Sequence, residues 1–491
     1  MRILILVHAF PPEMQAGAEL ATFHLARRLR ARHEVVVAYV SNVARDHDHI
    51  TTGTYADVPV IRLHSRPRPE RAMAMGLVHP ALEHLLLEAV RAFRPEVVHV
   101  QHAIRSSANV LFRLKAAGLP VVLTLHDFWF LCPRINLFRP DGSLCAGPQG
   151  GKACVPAGCY PGNAWFDPYA DREPAPAVVA PAPAAPSSPP PASRFSRLVG
   201  AIPRPLKALA PPGLKHRLAS RFGAPTPVPS PLVPSPAPAA PPPAPDPRDA
   251  MFMEDRARFM FDALGAPDHI ISPSAHLRQR FVEHGAAPEQ ISVIRNVVDV
   301  AGFGRVGLPP PAPPVVFGYI GTLWPHKGVQ VLIEAANRLA PEAARLLIVG
   351  KGEARYEENL RRHARNPAIE FLGEVPAENV PEIYERLHAL VLPSICYDNW
   401  PVTMQEAVAA RRPIIASDIG GMAEALKHER NALLFAAGDA EALHKQLVRV
   451  VEDPQALARF ADNLPPPDDP EQSTAAHEAV YRRLVEEAQR R

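Results

Sequence analysis

Short apolar runs alternate along the chain with segments whose apolar residues recur every three or four positions. The first half opens on an unbroken apolar run, Ile3 to Val7, followed by a helical pattern from about Ala18 to Arg32, then by Glu34 to Tyr39 and Val60 to Leu63. A helical pattern around Ala81 to Phe93 leads into Val97 to Val100, and another from Ala108 to Ala117 leads into Pro120 to Leu125. Near-continuous apolar strands separated by helix-length amphipathic segments predict parallel βαβ units, because a strand covered on both faces has no solvent side to mark with polar residues. After a long interruption the pattern resumes with a helix from Met251 to Leu264, a strand within Asp268 to Ser274, a helix from Ala275 to His284 and a strand from Ile291 to Arg295. The turn-rich stretch from Asn296 to Pro314, with Pro309 to Pro311 inside it, predicts a hinge.

The second half repeats the alternation. Apolar runs at Val315 to Ile320, Arg345 to Val349, Ile369 to Leu372, Ala389 to Leu392, Pro413 to Ser417 and Ala432 to Phe435 are separated by helical patterns, and two further helical patterns, from Asp439 and from Ser473, close the chain. The order predicts an α/β protein of two Rossmann-like, doubly wound domains facing a cleft, with ligands held at the carboxyl ends of the strands. The expected division is 1–171 for the first part of the N-terminal domain, 172–250 for an insertion, 251–300 for the remainder of that domain, 301–465 for the C-terminal domain, and 466–491 for a last helix that crosses back.

Composition changes this picture at one place. Of the 59 prolines among 491 residues, 24 fall between Arg172 and Ala250, which is too proline-rich for a packed core and predicts a disordered insertion. A net charge of +3 with 21% charged residues is too small to imply wholesale nucleic-acid binding. No apolar span approaches the roughly 20 residues a membrane helix needs, and the first run has no cleavage site after it, so a cytoplasmic protein is expected.

Two segments carry candidate chemistry. Gly321-Thr-Leu-Trp-Pro-His-Lys327-Gly328 follows a strand and opens a helix, where a close-approaching backbone, free N–H groups and a lysine suit a diphosphate; a tight turn with a solvated lysine is the alternative. Asp398-Asn-Trp-Pro-Val-Thr-Met-Gln-Glu406 follows another strand, with Asp398 in the loop and Glu406 in the first turns of the helix. Acids so placed accept hydrogen bonds from sugar or ribose hydroxyls; an N-cap and a surface residue are the alternative.

The run from Val391 through Glu424 resembles the nucleotide-sugar site of the family 4 glycosyltransferases, retaining enzymes of the GT-B fold. It contains Pro393-Ser394, Asp398, Glu406-Ala407, Pro413-Ile-Ile-Ala-Ser and Gly420-Gly421-Met-Ala-Glu424. Ala16-Gly17-Ala18-Glu19 is similar to that family's glycine-rich loop, Thr124-Leu-His126-Asp127 to its cleft histidine motif, and Asp268 to Ser274 and Val293 to Asp299 to its interdomain signature. Two positions depart from the family: Asp398 replaces the usual glutamate, and Thr322 stands where an arginine is usual. The missing arginine leaves Lys327 and helix dipoles with more of the diphosphate charge.

The resemblance implies a transferase that moves a sugar from a nucleotide-diphosphate donor to a lipid-linked, polysaccharide or other glycan acceptor. Lys327 and the backbone near Gly17, Pro401, Val402 and Thr403 would stabilise the leaving diphosphate with no catalytic metal. Asp398 would hold sugar hydroxyls, Glu406 the ribose, and His126 would lie beside the reacting sugar, with Thr322 on the donor side and His102 and Asp127 on the acceptor side. A nucleotide-sugar epimerase of the same fold and a noncatalytic scaffold working through its proline tract are the competing readings. A dehydrogenase is disfavoured because no G-x-G-x-x-G follows the first strand.

Three features remain. Cys132, Cys145, Cys154 and Cys159 lie in one glycine-rich loop and form a candidate structural zinc site, with free thiols as the alternative. Arg194 to Phe222 interleaves seven basic residues with apolar ones and is a candidate contact with anionic membrane at the cytoplasmic face of the inner membrane. The basic run Arg27, Arg28, Arg30 and Arg32 is a second candidate for that contact, against a solvated helix face.

Overall fold

The apolar runs become two separate sheets in the computed structural model, which describes residues 1–41, 43, 47–65, 76–160, 247–305, 309–310 and 312–490. Residues 172–246 of the proline-rich insertion lie outside the described residues, as does the basic segment Arg194 to Phe222, whereas 247–250 already belong to the helix Pro247–Gly265. The chain divides into two compact units, and the described residues fall in the one made of Met1–Asp171 and Pro245–Arg491.

The first sheet contains β1 (Arg2–Val7), β2 (Glu34–Val40), β3 (His49–Tyr55), β4 (Val58–His64), β5 (Val97–Val100), β6 (Val121–Thr124), β7 (His269–Ser272) and β8 (Ile291–Val293), in the order β3-β4-β2-β1-β5-β6-β7-β8. All neighbours are parallel except β3 and β4, an antiparallel pair. β3, sequence HITTGTY, is absent from the predicted elements. It is an edge strand with no buried residue, so nothing selects for the apolar run by which the other strands are recognised.

Successive residues of a strand point to opposite faces, and both faces of this sheet are covered. Leu4 and Leu6 join one core with the helices Pro80–Phe93 and Asn109–Ala116, while Ile3, Ile5 and Val7 join another with the helix Gly17–Leu29. The second core also takes Tyr481, Leu484 and Val485 from the last helix, Pro470–Gln489. That helix follows the second sheet in sequence and packs on the first. Its start is fixed by Asp469, whose carboxylate accepts the Glu471 N–H, with Pro470 at the first helical position.

The second sheet contains β9 (Val315–Ile320), β10 (Ala344–Val349), β11 (Ile369–Gly373), β12 (Ala389–Leu392), β13 (Ile414–Ser417) and β14 (Ala432–Phe435), in the order β11-β10-β9-β12-β13-β14, all parallel. Numbered within the sheet this is 3-2-1-4-5-6, the doubly wound order. The strand order reverses between β1 and β5 in one sheet and between β9 and β12 in the other, so the loops leaving those four strands line the two switch points. No helix of the described residues is long and apolar enough to cross a membrane.

The basic run on the first helix is partly spoken for. Arg28 Nη1 lies 2.5 Å from Glu471, and Arg32 Nε lies 2.8 Å from Glu478, both on the last helix. An arginine paired within the fold gives up donors a headgroup would need, so Arg28 and Arg32 are less available for the membrane contact than the sequence implies. Removing one such partly exposed pair by Arg28→Ala is expected to cost less than about 1 kcal/mol. Leu484→Ala, which opens a cavity under the last helix, is expected to cost about 2–4 kcal/mol, measured as a shift of the urea midpoint.

Candidate functional site

The loops leaving β9 and β12 meet at a half-buried ion pair. Pro325–Lys327 form one 3-10 turn, Gly328 sits at φ 74°, and the helix Val329–Ala336 begins. A Cβ at Gly328 would lie 1.8 Å from the Pro393 carbonyl oxygen, so only glycine lets the two loops approach this closely. Lys327 Nζ then lies 2.5 Å from Asp398 Oδ1, and Ser394 Oγ donates to Oδ2. Burial works against both charges, yet the partner's charge and hydrogen bonds outweigh it, holding the Lys327 pKa above and the Asp398 pKa below their ordinary values. Next to the ammonium, burial and the Lys327 charge push His326 down to about 4, so it is neutral at pH 7.

Pro401 precedes the helix Val402–Ala409, whose first-turn amides have no carbonyl partner within the helix. A Cβ at Gly17, the first residue of the helix Gly17–Leu29, would sit 3.7 Å from Val402 Cγ2, so the two helix N-termini converge from opposite sheets. Two positive dipole ends and one lysine thus surround one region. Glu406, on the second turn, has its Oε2 3.1 Å from the Tyr384 hydroxyl, and burial raises its pKa to about 7. Thr322 is exposed and its carbonyl accepts from the Tyr319 hydroxyl at 2.7 Å.

The loops leaving the first sheet bring three histidines together. His126 follows β6, and its Nε2 lies 2.7 Å from Gln101 Oε1. His102 follows β5; its Nδ1 accepts the Ile104 N–H at 3.1 Å, so its Nε2 carries the proton donated to Asp127 Oδ2 at 2.8 Å. Burial works upward on Asp127, but this bond and the Trp129 N–H keep its carboxyl below the usual range. His8, which follows β1, lies 2.7 Å from Glu19, and its ring meets that of His102 edge-on with centroids 4.8 Å apart. His8 and Gln101 were not singled out from sequence; the one available signal was a polar residue directly after an apolar strand.

The segment Tyr397 to Trp400 joins the two groups of loops. Tyr397 packs against Phe128 and His276 of the first lobe, with centroid distances of 5.9 and 5.2 Å. Asn399 Nδ2 donates to the His126 carbonyl at 2.7 Å. Arg295 stacks over Trp400 at 3.5 Å and reaches Glu424 at 2.7 Å. A Cβ at Gly421 would lie 1.5 Å from the Asn399 carbonyl oxygen, and the Gly421 N–H donates to the Asp398 carbonyl at 2.7 Å. Among the predicted residues, Lys327 and Asp398 are therefore bonded to each other, and His126, His102 and Asp127 are grouped on the facing lobe. Glu406 bonds within its own lobe to Tyr384.

The cysteine reading is corrected. Cys132, Cys145, Cys154 and Cys159 are buried free thiols, and among the described residues no set of three or more His, Cys, Asp or Glu side chains could hold a metal. Cys154 and Cys159 pack with Met253 in a small cluster of their own, whereas Cys132 and Cys145 belong to the core of the first sheet. Burial pushes the Cys154 and Cys159 thiols up to about 12 and about 11, which disfavours the thiolate form.

Residues 314–453 match the family model described as glycosyl transferases group 1, and residues 16–153 match the one described as glycosyltransferase family 4. The glycogen synthase of Mycobacterium tuberculosis is 31% identical over 199 residues, covering 40% of this chain and 48% of that protein. The D-inositol 3-phosphate glycosyltransferase of Streptomyces bingchenggensis is 26% identical over 221 residues, covering 40% and 48%. The chain thus spans about half the length of these curated relatives. Among solved structures, Anabaena HepE in complex with UDP and glucose aligns over 99% of both chains, with a TM-score of 0.57 and 15% identity. The sucrose-phosphate synthase of Thermosynechococcus elongatus aligns over 100% of this chain and 98% of its own, with a TM-score of 0.59 and 15% identity. These likenesses carry the fold.

The raised pKa of Glu406 has a measurable consequence for stability. Between the ordinary value of 4.5 and about 7 the folded chain keeps a proton that the unfolded chain has lost, so this group's contribution to stability falls as pH rises through that window. Glu406→Gln is expected to raise the stability at pH 8 by about 1–3 kcal/mol and to change it little at pH 4, measured by urea unfolding at the two values.

Proposed function

Because the chain belongs to glycosyltransferase family 4, with the GT-B arrangement of two parallel-sheet lobes, we propose that it transfers a sugar from a nucleoside-diphosphate donor to an acceptor hydroxyl with retention at the anomeric carbon. The observation that carries this reading is the convergence of Lys327, Asp398 and two helix N-termini at the switch point of the second sheet. Breaking the anomeric C–O bond leaves negative charge on the diphosphate. Lys327 spends one N–H on Asp398 and has two left for phosphate oxygens, while the first-turn amides of Val402 and Thr403 add a neutral cradle. These donors supply the stabilisation without requiring a metal ion. Thr322 contributes no charge, so Lys327 carries the cationic part.

Asp398, kept ionised by Lys327, accepts from sugar hydroxyls, and Glu406 accepts from the ribose. His126 faces the sugar from the other lobe, and the departing diphosphate takes the proton of the incoming hydroxyl on the same face. His102 and Asp127 belong to the acceptor side. UDP-glucose is the first donor to try, because HepE is described in complex with it. A glycan acceptor is favoured by the glycogen synthase among the relatives, with a lipid-linked intermediate as the alternative. With such an acceptor the proposed role is polysaccharide or cell-envelope synthesis, and the proposed location the cytoplasm or the inner face of the membrane.

A thermal-shift series with UDP, GDP, ADP and their sugars tests donor binding. A cognate nucleotide at about 100 times its Kd is expected to stabilise the fold by about 2.7 kcal/mol, and the absence of any shift would sink the proposal. Lys327→Ala is expected to lower donor turnover by roughly 100-fold or more, read as released nucleotide, because it removes the cation beside the leaving group. Turnover within threefold of the parent would mean that Lys327 does not hold the diphosphate.

A further inference from the structure

The three histidines of the first lobe are all held through Nε2, but by different partners. His8 faces the Glu19 carboxylate, His102 the Asp127 carboxylate, and His126 the side-chain amide of Gln101. A carboxylate beside an imidazole favours its protonation, whereas an amide supplies no charge. An amide oxygen only accepts, so the contact fixes the proton on Nε2 and leaves Nδ1 a bare acceptor.

The orientation of the Gln101 amide is decided at its other end. Its nitrogen lies 3.4 Å from both ring nitrogens of His99. In the ring plane, a position equidistant at that range would collide with Cε1, so the nitrogen sits over the ring face, where an N–H is attracted and a carbonyl oxygen is repelled. His99 is itself clamped, with Nδ1 2.6 Å from the Tyr481 hydroxyl and Nε2 2.7 Å from Thr124 Oγ1. The Gln101 backbone is pinned as well, by its N–H to the Leu6 carbonyl at 2.7 Å. The side-chain hydrogen bond of His126 is made at Nε2, and the residue is half-buried.

We propose that Gln101 is a positioning residue that holds His126 as the neutral Nε2–H tautomer, so that Nδ1 is offered to a hydroxyl of the donor sugar as a hydrogen-bond acceptor. The role of Nδ1 rests on the proposed transferase function; the tautomer does not. The groups facing His126 are His102, Asp127, Glu19 and His8 around the loops, and His99 beneath Gln101. Asn399 reaches its carbonyl from the second lobe. Burial, with His102 adding to it, holds the ring down at about 3, consistent with an imidazole that stays uncharged throughout the working range.

The full chain labelled with 15N-histidine reports the tautomer directly through two-bond proton–nitrogen spectra, with His126 assigned by its disappearance in His126→Asn. At pH 7 the expected pattern is a protonated Nε2 and a bare Nδ1. Gln101→Glu keeps the shape, adds a carboxylate, and is expected to raise the ring's titration by about 1–3 pH units. Transfer by Gln101→Glu should then fall in proportion to the protonated fraction of its ring, about tenfold at one pH unit below the titration point measured for that ring, a loss absent from the parent and from the His126→Asn background. A parent ring protonated on Nδ1, or a Gln101→Glu ring titrating where the parent's does, overturns the assignment. These spectra need no nucleotide, so a failure to bind any donor would count against the transferase function and leave the tautomer to be judged on its own result.

Discussion

The arrangement depends on how the segment Tyr397 to Trp400 is shared between the lobes. Its side chains alternate in allegiance: Tyr397 and Asn399 engage Phe128, His276 and His126 of the first lobe, while Asp398 turns back to Lys327 and Ser394 of its own. The segment's backbone is gripped by Gly421, whose missing side chain allows the Asn399 carbonyl to approach. Asp398 is therefore held in place by contacts that need both sheets present, although every group it bonds to belongs to one.

Charge is distributed unevenly across this junction. The second lobe contributes an ion pair and a carboxyl whose pKa is raised by burial; the first contributes imidazoles, each with a fixed proton. Placing an acid such as Glu406 where its ionised form is penalised lowers stability at neutral pH, a cost that structural residues seldom carry and ligand-binding residues often do. The half-buried Lys327–Asp398 pair is likewise weak evidence for stability, because desolvation offsets part of its attraction. Its presence is better explained by the two unspent N–H donors it leaves on the ammonium.

Much of this was legible in the sequence, and the exceptions have physical reasons. Strands buried on both faces announced themselves as apolar runs, and the spacing relative to strand ends placed Lys327 and Asp398 in two adjoining loops and Glu406 on the helix after the second. β3 left no such trace because an edge strand with polar faces has the pattern of a loop. Gln101 was invisible because its meaning lies in what touches it: β6 delivers His126 and the buried His99 sits below, and neither contact follows from local pattern. The four cysteines misled because neighbouring thiols need not form a metal shell: two belong to the sheet core and two pack against Met253, and burial disfavours the thiolate a metal would need. Arg28 and Arg32 resembled a free basic face because their partners, Glu471 and Glu478, come more than 400 positions later.

The return of the last helix to the first sheet means that the polypeptide passes between lobes twice, once after β8 and once ahead of Pro470. Two strings joining two bodies act like the pins of a door, leaving one easy swing and resisting twist. Trp400 is caught at both pins: Arg295, beside the first, stacks on its ring, and Asp468, beside the second, accepts its indole N–H at 2.7 Å. Any swing is thus felt first by a residue two places from Asp398, so the Asp398 carboxylate rides on the axle instead of the door's outer edge.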